Sequence, residues 1–110
     1  MPREYRLYLE DILSSIQKIR DYIGSLGFEE FSANLLVQDA VVRNLEIIGE
    51  SIKNIPQEIR DKNANIEWRK IAGLRDIITH AYFTIDIEIV WEIIINKIDE
   101  LEKEVKELLL

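Results

Sequence analysis

This 110-residue sequence predicts an all-α fold of four main helices with an optional short fifth, and three features carry that prediction. Apolar residues recur at three- and four-residue intervals along most of the chain, the spacing of one helix face. Only four Gly and two Pro punctuate it, too few for a fold with many turns. Hydrophobic residues make up 47% of the total, enough for one core in a chain of single-domain length. Residues 1–110 are therefore read as one helical domain.

The first predicted helix covers 5–26, where Leu9, Ile12, Ile16, Ile19 and Ile23 form a stripe. Gly24 and Gly27 follow and can supply a helix-terminating conformation. The second covers 30–54. Val37, Val41, Leu45, Ile48, Ile52 and Ile55 make its main stripe, yet Leu36, Ala40, Val42 and Ile47 lie off it. A helix apolar on more than one face is either central in its own domain or shared with a partner. Pro56 closes it, and a polar connector follows with room for one short turn of helix around 57–62. A third helix is expected over 67–81, burying Ile71, Leu74, Ile78 and Ala81. The last begins near Thr84 or Asp86 and runs to Leu110. Its opening "IDIEIV" alternates like a strand, but a lone strand has no partner. From Trp91 the series Ile94, Ile98, Leu101, Val105, Leu108 is helical.

Composition excludes several classes of function. Without cysteine there are no disulfides and no thiolate metal sites, and with one histidine only carboxylates remain as ligands, so no metal site and no cofactor are expected. The opening "MPREYRLYLE" lacks the apolar core of a signal peptide, and no stretch reaches the roughly 18 apolar residues of a membrane span. A soluble, cytoplasmic protein without membrane contact is the expectation. A net charge of −7 argues against a protein that coats nucleic acid unselectively. The charge is uneven, however: −3 over 1–42, +2 over 43–75 and −6 over 76–110. The middle segment alone is positive, and an anionic ligand has its best footing there.

That segment ends in "RDIITHAYF", residues 75–83, which holds the only histidine. At about 100° per residue, Arg75, Thr79 and Tyr82 share one stripe of a helix, and Asp76, His80 and Phe83 share the next. Asp76 is one turn before His80, placed to accept from the imidazole and fix its tautomer. The planar guanidinium of Arg75 suits a phosphate that His80 can also reach. These residue types point to phosphodiester chemistry without a metal. Histidine moves protons near neutral pH, Arg stabilises charge on the phosphorus oxygens, and the nucleophile is the RNA's own 2′-hydroxyl. One His cannot be base and acid on opposite sides of a phosphate in one step. A twofold dimer would bring two copies of His80 to one cleft, and the second helix offers it a broad apolar surface.

Plainer readings exist for the same residues. A lone His at a helix end is often structural, and Asp76–His80 reads equally as an intrahelical pair of a few tenths of a kcal/mol, roughly. Tyr82 and Phe83 can simply cover the core, and Trp68 and Trp91 read as core or interface anchors. The acidic run "DELEKEVKE" reads as a solvated face. Arg43, Glu46 and Glu50 sit on a strongly apolar helix: buried, they need partners such as the Arg75 region, and exposed, they form a polar stripe.

"RDIITHAY" fits the Arg-x4-His-x-Tyr motif of HEPN-domain proteins, with Asp76 where that motif has Asn, Asp or His after the arginine. "QDAVVRNLEIIGESIKNIP" (38–56) and "IEWRKIAGLRDIITHAYFTIDIEIVWEII" (66–94) resemble the second helix and the active-site segment of the HepT branch. The resemblance covers nearly the whole chain. It implies an up-and-down helical bundle acting as a homodimer, a metal-independent ribonuclease toxin of a type VII-like toxin–antitoxin pair. It assigns Arg75 and His80 as the catalytic pair with Asp76 orienting. Thr79, Arg43 and Glu50 are candidate supporting residues. The partner it implies is an MntA-like nucleotidyltransferase that can attach AMP to Tyr82, adding a bulky anion beside Arg75 and His80. The alternative expectation, from silent HEPN modules and the acidic charge, is a non-catalytic nucleotide-binding or accessory partner of such a nucleotidyltransferase.

Overall fold

A computed structural model of the protein describes residues 4–63 and 86–110. Among them are six helices and no strand: α1 (Tyr5–Ile23), α2 (Phe28–Ser32), α3 (Leu35–Lys53), α4 (Gln57–Lys62), α5 (Ile87–Asn96) and α6 (Ile98–Leu109). The all-α expectation holds for these residues. The third predicted helix, over 67–81, lies outside the described residues.

The apolar stripe of α1 is buried as its spacing requires, with Leu9, Ile12, Ile16 and Ile19 fully enclosed. It packs against α3 on one side and α6 on another. The helix stops at Ile23, short of the predicted end at Leu26. Gly24 takes φ of +54° and donates its N–H to the Arg20 carbonyl at 2.8 Å. A positive φ is where glycine has no Cβ penalty, so the stop falls on the first glycine. Gly27 does not end this helix. It keeps a negative φ and precedes α2 instead, and the Glu30 carboxylate accepts from its N–H at 3.4 Å.

The predicted helix over 30–54 is divided. Asn34 interrupts it, and its Oδ1 accepts from the Val37 N–H at 3.1 Å, an N-cap for α3. The carbonyls freed at the break are covered by Gln38. Its buried side-chain amide donates to the carbonyls of Phe31 (2.8 Å) and Ser32 (3.0 Å). A cap on one side and an amide on the other keep the backbone groups at the break hydrogen-bonded. Asn34→Ala should therefore cost about 1 kcal/mol in urea denaturation, with Asn34→Asp retaining most of the stability.

Among the described residues α3 packs against α1 and the short α2. Val41, Leu45, Ile48 and Ile52 are buried in the core that α3 shares with α1, and Ile55, just beyond its end, is 1% exposed. The last carbonyls are tightened by i+3 bonds from Asn54 to Ser51 and from Ile55 to Ile52, both at 3.1 Å, before Pro56 bars continuation. The expected short turn after it is α4.

α5 begins at Asp86, whose Oδ1 accepts from the N–H groups of Glu88 (3.1 Å) and Ile89 (3.2 Å). The described part of "IDIEIV" beyond the cap, Ile87 to Val90, is thus helical despite its strand-like alternation, because a capped start and the helical spacing beyond it agree. The predicted single last helix is interrupted at Lys97, where the backbone widens to φ −110° while its N–H still reaches the Ile93 carbonyl at 2.9 Å. Ile98, Leu101 and Val105 then continue the buried stripe along α6. Trp91 on α5 is half-buried against Phe31 (ring centroids 5.2 Å) and Phe28 (5.9 Å), which fastens α2 to α5. Its expected role as an anchor is what the contacts show. Trp68 lies outside the described residues.

α1 and α6 are also joined by charge. The Arg20 guanidinium donates through Nη1 to Glu102 at 2.5 Å and through Nη2 to Asp99. The hydrogen bond to Glu102 pushes the Arg20 pKa further up, against an opposing cost of burial, with Asp99 adding to the rise. The run "DELEKEVKE" is therefore only partly a solvated face: two of its carboxylates face α1.

Candidate active site

The chemistry-bearing motif occupies 75–82, so Arg75, Asp76, Thr79, His80 and Tyr82, together with Phe83, lie outside the described residues. The described points of attachment nearest to it in sequence are α4 with Asn63 before it and the Asp86 cap of α5 after it. Both attachment points are held by hydrogen bonds: the Asn63 side-chain amide donates to the Ile59 carbonyl at 2.9 Å, and the Asp86 carboxylate caps the first turn of α5. Beyond these points, α5 is fixed through Trp91 to α2.

Two supporting candidates lie on α3. Arg43 and Glu50 are both exposed, on one stripe two turns apart, with Glu46 half-buried beside it. Of the two readings left by the sequence, the polar stripe describes Arg43 and Glu50. The stripe also contains half-buried Ala40 and Ile47, and Leu36 at its N-terminal end is 81% exposed, next to Leu35 at 73%. The second apolar face predicted for this helix thus has two origins. Val42, 8% exposed, is enclosed by the chain itself, whereas Leu36 is left outside it.

Several polar groups that sequence reasoning did not single out are placed by the fold. Gln38 seals the break before α3. Asn44 is 4% exposed, and its amide donates to the Ala40 carbonyl at 2.9 Å while its Oδ1 is enclosed without a partner among the described residues. The Arg60 side chain on α4 is half-buried, and its Nε is likewise enclosed and unpartnered among them. Nothing in the local sequence marks these residues, since their burial depends on helices distant in the chain. Among the described residues no group of three His, Cys, Asp or Glu side chains is arranged to hold a metal ion, and no helix is long and apolar enough to cross a membrane.

Comparison with known proteins bears on the same stretch. The family model described as Ribonuclease HepT-like matches residues 12–108, which include the whole motif. The chain is 44% identical over 104 residues to a protein of Caldanaerobacter subterraneus subsp. tengcongensis named as a candidate RNase, covering 94% of this chain and 93% of that one. A Methanocaldococcus jannaschii protein, also named as a candidate RNase, is 40% identical over 110 residues, covering 99% of this chain and 91% of the relative. A Thermococcus cleftensis protein named as a candidate ribonuclease HepT is 39% identical, with 93% of each chain covered. No solved structure matches the chain.

Proposed function

This chain belongs to the HepT-like ribonuclease family, and on that premise we propose that it is a metal-independent endoribonuclease toxin whose composite site is built from Arg75, His80 and Tyr82 in a homodimer. The observation that carries the reading is the coincidence of the family match over 12–108 with the only His of the chain, set at Arg-x4-His-x-Tyr spacing.

The proposed reaction needs no nucleophile from the protein. One His80 imidazole takes the proton from the RNA 2′-hydroxyl, whose oxygen attacks the adjacent phosphorus. The bond to the departing 5′-oxygen breaks, and the second His80, as imidazolium, protonates that oxygen. The products are a 2′,3′-cyclic phosphate and a 5′-hydroxyl. Arg75 stabilises the charge on the non-bridging oxygens, and Asp76 orients the imidazole. Thr79, on the predicted stripe of Arg75 and Tyr82, and Arg43 and Glu50 on α3 are supporting candidates. The exposed Leu35 and Leu36, with half-buried Ala40 and Ile47, support dimerisation, since apolar side chains of this size left in water favour a second surface.

Control is proposed to lie at Tyr82. An MntA-like nucleotidyltransferase antitoxin transfers AMP from ATP to the phenolic oxygen with loss of pyrophosphate. The attached phosphate then occupies the position of the substrate's own phosphate beside Arg75. The cytoplasm is the compartment this activity requires. The acidic net charge of −7 favours the second reading, a non-catalytic partner that presents Tyr82 to the nucleotidyltransferase without cutting RNA.

Incubation of the protein with mixed tRNA and total RNA in EDTA separates the readings. The nuclease reading expects cleavage that persists in chelator and ends in 2′,3′-cyclic phosphate, with Tyr82→Phe at least as active because it cannot carry AMP. Protein of unmodified intact mass that leaves RNA uncut would sink it in favour of the accessory reading.

A further inference from the structure

We infer that Arg60 is an RNA-backbone contact: a guanidinium whose neck is held in the fold and whose terminal nitrogens bind a substrate phosphate. The inference rests on the ribonuclease reading above and adds a binding residue outside the Arg-x4-His-x-Tyr motif.

The charges of α4 are nearly all committed. Glu58 pairs with Lys62 at 3.6 Å, one turn on, and the Gln57 side-chain amide donates to Asp61 at 2.7 Å. Arg60 is different. Its backbone N–H closes the first turn onto the Pro56 carbonyl, but no carboxylate or carbonyl among the described residues accepts from its guanidinium. Its Nε is fully enclosed with no partner among them, while the side chain as a whole keeps part of its surface in water. Among the described residues nothing compensates the lost hydration of that donor. Replacing Arg60 by an apolar chain of similar length would remove that cost, so its presence calls for a gain elsewhere.

A nucleic-acid phosphate supplies such a gain. An enclosed neck limits the rotamers of the fork, so less side-chain freedom is lost when its two terminal nitrogens take a planar, bidentate acceptor. The setting is favourable too: residues 43–75 are the only net-positive segment of a chain that is otherwise acidic. Within that segment Arg60 precedes the proposed catalytic Arg75 by one short connector and most of one predicted helix. An acidic protein that acts on RNA needs a few directed contacts in place of a general positive field, and a guanidinium with no partner among the described residues is a candidate for one.

The test uses full-length protein carrying His80→Ala, so that substrate survives, and a fluorescent single-stranded RNA with salt varied. Arg60→Met keeps the length and apolar bulk of the side chain, and Arg60→Lys keeps the charge. The expected result is roughly tenfold weaker binding for Arg60→Met at low salt. The slope of log affinity against log salt should fall by about 0.7, the value for one lost phosphate contact on a single strand. Arg60→Lys should recover part of both. In the otherwise wild-type enzyme Arg60→Met should raise KM and leave kcat nearly unchanged. Its melting temperature should stay level or rise, a readout that a merely structural arginine would move downward. Equal affinity and equal salt slope for parent and Arg60→Met would overturn the inference alone. So would a variant that weakens only self-association, which would assign Arg60 to a carboxylate of a second copy. RNA binding absent from the parent itself, with wild type failing to cut, would overturn the ribonuclease reading and this inference together.

Discussion

His80→Ala is expected to remove RNA cleavage almost completely, by roughly 10³-fold or more, while leaving the circular dichroism spectrum and urea midpoint close to those of the parent. The magnitude reflects its double employment. In the proposed composite site the imidazole serves as base in one copy and acid in the other, and each proton transfer contributes on the order of 10² to 10⁴. No other histidine exists in the chain to substitute. Arg75→Ala should fall in the same range, because the guanidinium interacts most strongly with charge that develops in the transition state. Mixing experiments probe the dimer directly. When wild type is equilibrated with excess His80→Ala, activity should drop faster than dilution predicts, since a mixed dimer has only one imidazole in its cleft. Activity that declines strictly in proportion to the wild-type fraction would show that each chain works alone. Cleavage by pure His80→Ala, free of contaminating nuclease, would remove the mechanism.

Phe31→Ala is expected to cost about 3 to 5 kcal/mol of stability, the usual range for deleting an enclosed aromatic ring. Three circumstances place it at the upper end. Phe31 is the only buried residue of α2 and is 0% exposed. Its ring packs on Trp91 at 5.2 Å, so the substitution also loosens α5. A five-residue helix cannot persist on its own propensity, because helix nucleation is costly, and α2 stays folded only while docked. Since a domain of this size has on the order of 5 to 15 kcal/mol in hand, the variant should unfold at markedly lower urea. Cleavage should fall with the folded fraction and recover under stabilising solute, which distinguishes it from His80→Ala. A loss below about 1 kcal/mol would mean that the pocket collapses around the missing ring or that α2 contributes little.

The reach of sequence reasoning here matches the range of the forces involved. Helix existence is legible because periodicity is local: Leu9, Ile12, Ile16 and Ile19 announce α1, and all four are buried. Even the alternating Ile87 to Val90 reads as helix once the spacing from Trp91 onward is taken with it. The breaks at Asn34 and Lys97 are not legible. A continuous apolar pattern runs through both, and a single Asn or Lys in mid-helix differs from its neighbours by only roughly a few tenths of a kcal/mol. At Asn34 the balance is tipped by Gln38, which supplies donors for the carbonyls of Phe31 and Ser32 and so makes the interruption tolerable. The candidate site divides in the same way. The motif at 75–82 is a short pattern of residue types at fixed spacing, readable in one dimension. The burial of Arg60 Nε and Asn44 Oδ1 gives no local signal.

Legible in the sequence were the helical class of the described residues, the existence of α1 and α4, the start of α5, and the set of residue types from which phosphodiester chemistry is read. Tertiary structure alone decided where long helices divide, which of the apolar residues on α3 are enclosed and which are left to water, and that Arg20 reaches Asp99 and Glu102, 79 and 82 residues away. The reason is physical. Periodicity, capping and motif spacing act within a few turns of one chain segment, whereas burial and ion pairing depend on which surfaces meet, and that is settled only when the helices pack.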